Sequence, residues 1–141
     1  MTIIKDIRAF TADSSNKSTD YTSQPKGHWI TDTLVANPMA IYPEYRGSRT
    51  SWGIGVLGSV VVEVELENGV IGVGISTAGP PGCWIIEHHL KKFAIGQNVT
   101  NVELIWDQMW RASMPYGRKG ITIHAISAID LAIWDAMGKD A

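Results

Sequence analysis

Cys83 is the only cysteine in this chain of 141 residues, so no disulfide can close within it. Runs of one charge are missing too: 12 basic side chains stand against 14 acidic ones, for a net charge of −2. The clustered positive surface of a nucleic-acid binder is therefore excluded. No uninterrupted apolar run approaches the roughly 18 residues that span a bilayer, because Glu63, Glu65 and Glu67 break the longest candidate. The opening "MTIIKDIRAF" lacks the apolar core of a secretory leader. These absences point to a cytoplasmic protein with neither nucleic acid nor membrane as partner. Nucleophile and phosphate motifs are also missing. There is no Gly-x-Ser-x-Gly and no Walker-type loop, and "GIGVLG" from Gly53 to Gly58 leads into a strand instead of opening a helix. A metal site built by this chain alone is not expected: His88 and His89 are adjacent and point to different helix faces, His28 and His124 are distant, and Cys83 stands alone.

What is present is the composition of one folded domain, with 45% apolar residues and 14 glycines. "IIKDIRAFT", Ile3 to Thr11, fits a short strand. Thr11 to Lys26 is dense in Ser, Thr, Asn and Asp, whose side chains compete for backbone hydrogen bonds, and reads as an exposed loop. The clearest signal follows at Val60, Val62, Val64 and Leu66. They alternate with Val61, Glu63, Glu65 and Glu67, the period-two pattern of a half-buried strand. Asn68-Gly69 then predicts a hairpin with a tight primed turn, returning along "VIGVGIST".

Beyond Ser76 the period becomes helical. Pro80-Pro81 opens a helix closing at Gly96; a second runs from about Val102 to Ser113 with Thr100 or Asn101 as cap; a third carries apolar residues at 123, 126, 129, 133 and 137 and stops at Gly138. Strand, hairpin, then helices is an α+β order, a three-stranded antiparallel sheet followed by a helical bundle. No repeat or internal boundary divides residues 1–141. The last helix is apolar on more than one side, and such a helix calls for cover that three short strands and two helices do not supply, so a further domain is expected beyond Ala141.

Three places are candidates for chemistry. Asp130 lies among apolar neighbours, where a carboxylate bonded to nearby backbone or an arginine is the plain expectation. Glu87 with His88 reads as a solvated helix face. The segment Gly27 to Gly55 combines Trp29, Trp52, Tyr42, Tyr45, Arg46 and Arg49. Guanidinium forks suit a carboxylate and rigid rings make walls, as in a lid over a small anion. The same residues would also serve as a satellite core whose arginines pair with surface acids. Local chemistry leaves both open, along with a stand-alone interaction module using the aromatic loop.

The segments "VEVELENGVIGVG" and "HAISAIDLAIWDAMGK" resemble the N-terminal capping domain of the enolase superfamily, in its mandelate racemase-like subgroup. "DYTSQPKGHWITD", "NPMAIYPEY", "SRTSWGI" and "ISTAGPPGCWIIEHHL" are similar to acid-sugar dehydratases of that subgroup. The resemblance covers essentially the whole chain. It implies a cap over a (β/α)₈-type barrel that this chain does not contain. That barrel would carry the Mg²⁺ ligands and the catalytic acid and base, leaving no catalytic or metal-binding residue here and the fragment alone inactive. A small acid sugar is the implied substrate, L-rhamnonate first, with lyxonate, mannonate or galactarate as alternatives and epimerisation as an alternative reaction. The partners are the chain's own barrel and further copies in a homo-oligomer. Arg49, in the "S-R-x-S" position, would contact the substrate, with Thr22, His28, Trp29 and Trp52 around it. The rhamnonate-type pattern has a histidine where Thr22 follows Asp20-Tyr21, a departure that opens the substrate choice.

Overall fold

The computed structural model describes residues 2–12, 36–46 and 57–141. These divide between two compact units, residues 1–13 with 58–141, and residues 14–57. In the first, β1 (Ile4–Thr11), β2 (Val60–Leu66) and β3 (Ile71–Ser76) form an antiparallel sheet in the order β1-β2-β3. Helices α1 (Gly79–His88), α2 (Val102–Ser113) and α3 (Ile121–Asp140) follow.

The alternation read in β2 is the alternation of burial. Val60, Val62, Val64 and Leu66 are fully buried, and Val61, Glu63 and Glu65 face the other way. Each buried side chain of this kind contributes roughly 1.5–3 kcal/mol. On the outer face Lys5 pairs with Glu65 at 2.6 Å, and Arg8 lies 3.4 Å from Glu63. The hairpin closes differently from the expected primed turn. Leu66 N–H donates to Val70 O and Gly69 N–H to Leu66 O, both at 2.9 Å, which leaves a three-residue loop. Gly69 has φ of 86°, and no non-glycine residue among those described has a positive φ, so a type I turn ends in a left-handed glycine. A primed turn would have required Asn68 to be left-handed as well.

Helix α3 lies on the inner face over β2 and β3. Ala128, Ala132 and Ala136 recur every fourth residue and put a flat stripe against Gly72 and Gly74. A methyl group on Gly72 would overlap Ala132 O and Ala136 N, and one on Gly74 would overlap Ala128 O and Ala132 N. The bare strand backbone is therefore what lets the helix sit at this depth. Ile126, Ile129 and Ile133 fill the remaining core with Ile4, Ile7, Ile105 and Met109. This helix is, by length and composition, able to cross a membrane, which corrects the reading that no apolar stretch comes near that length. Much of it is instead packed in the core of this unit. Leu131 and Trp134 remain about half exposed, apolar surface of the kind expected from its sequence.

Two helix ends differ from the sequence reading. Helix α1 stops at His88 and a 3-10 turn, Leu90–Phe93, takes its place; His89, with φ of −137°, breaks the helix. Helix α3 passes through Gly138 to Asp140, since Gly138 is not left-handed and Asp140 is held by Thr2 Oγ1 at 2.7 Å and by the Asn68 amide. Asn101 stands at the start of α2 without a side-chain capping bond.

Candidate functional site

In the second unit, Asn37 Oδ1 accepts from Met39 N–H at 2.9 Å and starts a 3-10 turn, Pro38–Ile41; a second, Pro43–Tyr45, follows. Proline at the first position of each fixes φ and loses no needed donor. Tyr42 and Tyr45 meet edge to face, 6.4 Å between centroids, and both stay substantially exposed. Arg46 Nε donates to Ala40 O at 3.2 Å, so part of that fork is turned to its own backbone. Of the ring and arginine set read in this segment, Tyr42, Tyr45 and Arg46 are thus placed. Thr22, His28, Trp29, Arg49 and Trp52 lie outside the described residues.

Within the first unit, polar groups gather in three places. His124 Nδ1 lies 3.2 Å from Thr77 Oγ1 and 3.4 Å from Ser76 Oγ, at the exposed end of β3. His89 Nδ1 and the Tyr116 hydroxyl are 2.7 Å apart; burial, then Lys92, lowers the histidine's pKa, and burial raises that of the tyrosine. Such a pair fastens the turn after α2 to the end of α1. An open groove of about 440 Å³ runs between the first turn of α2 and Trp134 and Met137 of α3. Among the described residues no three His, Cys, Asp or Glu side chains converge as a metal would need.

Among the described residues Asp130 does not have the backbone or arginine partner expected for it. It is half-buried, and burial raises its pKa. A carboxyl whose folded pKa is raised binds its proton more tightly in the folded state, so it costs stability once the pH exceeds its unfolded value near 4. Asp130→Asn is accordingly expected to raise the melting temperature at pH 7 and to leave it unchanged at pH 3, as read by calorimetry. A lower melting temperature at pH 7 would contradict this burial account.

Glu87 is not the solvated face read from its neighbours. Its carboxylate accepts from Ala9 N–H at 2.6 Å and pairs with Lys91. Burial alone would raise its pKa, but Lys91 and the Ala9 N–H outweigh burial and leave it lowered. Asp135 does the same on the other side, accepting from Val73 N–H at 2.7 Å and from Lys139 at 2.6 Å. The sequence signal for both was an acid four residues before a lysine, which carries no hint of a strand partner.

With this sheet, three helices and a small Pro-rich unit in hand, the class of protein is defined by comparison. Residues 34–141 match the family described as mandelate racemase / muconate lactonizing enzyme, N-terminal domain, and the chain belongs to it. More particularly, it is 54% identical over 136 residues to L-rhamnonate dehydratase of Saccharopolyspora erythraea, covering 96% of this chain and 34% of that protein. A crystal structure of rhamnonate dehydratase from Gibberella zeae complexed with Mg superposes with a TM-score of 0.82 at 45% identity, over 98% of this chain and 34% of that one. A racemase from Streptomyces coelicolor with bound magnesium superposes with a TM-score of 0.54 at 30% identity, over 57% of this chain and 24% of that one. The chain thus spans about a third of the length of the dehydratases it matches.

Proposed function

We propose that residues 1–141 form one capping domain, its last helix leading into a barrel, of an Mg²⁺-dependent acid-sugar dehydratase that acts on L-rhamnonate. The observation that carries this reading is the 54% identity sustained over 136 residues, far more than a shared cap architecture demands. The reaction removes the proton α to the carboxylate and expels the 3-hydroxyl, giving a 2-keto-3-deoxy acid and water. Mg²⁺, which carboxylates of the barrel would hold, would supply Lewis-acid stabilisation of charge on the substrate carboxylate.

In this reading Arg49 engages the substrate's carboxylate or hydroxyls, His28 and Trp29 line the rim, Trp29, Tyr45 and Trp52 stiffen the loop, and Thr22 upstream stands where a histidine is expected. A homo-oligomer in the cytoplasm completes the proposal. Thr22 favours a second reading, in which another aldonate or aldarate is the better substrate, because a hydroxyl reaches less far than a histidine and carries no charge. The test is turnover of an acid-sugar panel with Mg²⁺ by the complete protein, following 2-keto acid formation. L-rhamnonate is expected to give the highest kcat/KM. Preference for another sugar acid would move the substrate assignment to the second reading, and loss of all turnover would overturn the dehydratase.

A further inference from the structure

Among the described residues β1 and β3 are the edge strands of the sheet, and each is met by the same arrangement of side chains. The pairing register directs the N–H and C=O groups of Ile7 and Ala9 in β1, and of Ile71 and Val73 in β3, away from β2. On β1, Ala9 N–H donates to Glu87, Lys91 Nζ lies 3.5 Å from Ile7 O, and Cys83 Sγ donates to Ala9 O at 3.1 Å. Nearer its start, Ile4 N–H and C=O are bonded to the backbone of Gln97 and Gly96. On β3, Val73 N–H donates to Asp135 and Lys139 Nζ donates to Ile71 O at 3.0 Å. Both cases read alike: an acid takes the N–H of one strand residue, and a lysine four positions later meets the C=O two residues earlier.

The spacing explains the repetition. On α3 four helix residues advance about 6.0 Å and two strand residues about 6.8 Å, so Asp135 and Lys139 match two successive outward groups of a strand running the opposite way, and Glu87 and Lys91 reach the same match across the end of α1 and the 3-10 turn after it. A carboxylate accepts and an ammonium donates, as the C=O and N–H of a neighbouring strand would. We propose that Glu87–Lys91 and Asp135–Lys139 are surrogates for missing strands, closing both edges of the sheet against strand addition by a second copy of this chain. The β3 edge has the greater need. Ile71, Val73 and Ile75 are all exposed along it, and an exposed apolar edge strand is a template for pairing between chains.

The test exchanges the charges, Asp135→Lys with Lys139→Asp, in the complete protein. Composition, net charge and the i, i+4 ion pair are all kept, but the ammonium now faces a donor and the carboxylate an acceptor. The exchange is expected to speed hydrogen exchange of the Val73 amide by about tenfold or more. It is also expected to produce concentration-dependent association beyond that of the parent in sedimentation velocity. Val73 protection and association equal to the parent would reduce the pair to an ordinary helical salt bridge and overturn the proposal. Lys139→Met covers the case in which the exchanged chain does not fold, since it keeps Asp135 on Val73 and removes only the donor to Ile71 O. It too is expected to associate while melting like the parent, and an unchanged association state would count equally against the surrogate role.

Discussion

Gly74→Val is expected to keep the chain from folding, and Gly74→Ala to cost about 3 kcal/mol or more, at the upper end of overpacking penalties. The added carbon would meet the carbonyl of Ala128 and the amide of Ala132, which are helix backbone and cannot rotate aside as a side chain would. Relief would require lifting α3 off the sheet, uncovering Ile126, Ile129 and Ile133 together. Against a typical total of 5–15 kcal/mol, that is a large share. Gly138→Ala is the internal control. Nothing lies within 4 Å of its position and its φ is ordinary, so the alanine should stabilise by roughly 0.5–1 kcal/mol through the unfolded chain's lost freedom. Urea denaturation of the three variants checks the pattern, and a Gly74→Ala chain within 0.5 kcal/mol of the parent would refute the close approach.

Arg49→Ala in the complete protein is expected to lower kcat/KM for the preferred sugar acid by about 10- to 100-fold. The figure follows from the roughly 1.5–3 kcal/mol carried by a hydrogen bond to a charged group, at 1.4 kcal/mol per factor of ten. Arg49→Lys should recover only part of it, because an ammonium keeps the charge but loses the planar fork that grips a carboxylate at two points. Thr22→His is the companion variant and should shift relative kcat/KM toward L-rhamnonate within the panel. Unchanged turnover of every accepted substrate by Arg49→Ala would remove the arginine from the site.

How far these features were legible depends on the range of the interaction behind them. Val60 to Leu66 announced their strand because alternation is a local property, and the same holds for Ile126, Ile129 and Ile133 on α3. The turn at Asn68-Gly69 was legible as a turn but not as a type, since Asn tolerates both signs of φ and only the completed ladder selects one. Gly138 reads as a stop from its conformational freedom, yet the bonds of Asp140 to Thr2 and Asn68 hold the chain helical past it. Glu87 was the plainest miss. Its partner Ala9 is 78 residues away, a separation no periodicity contains. For the candidate site, local chemistry left Arg49 and the rings divided between packing and binding, and only resemblance to whole dehydratases tipped the balance. Asp130 was legible as unusual, though its lack of a partner among the described residues was not.

The glycine and alanine contact between β3 and α3 also governs which changes of length this domain tolerates. Side chains on a strand alternate faces, so one residue inserted or deleted between Gly69 and Gly72 turns both glycines outward and drives the side chains of Ile71 and Val73 into the helix backbone. Changes of two residues would restore the parity but slide the strand past Asp135. Natural variation in this hairpin should therefore be confined to substitutions, with insertions and deletions absent from residues 69 to 76.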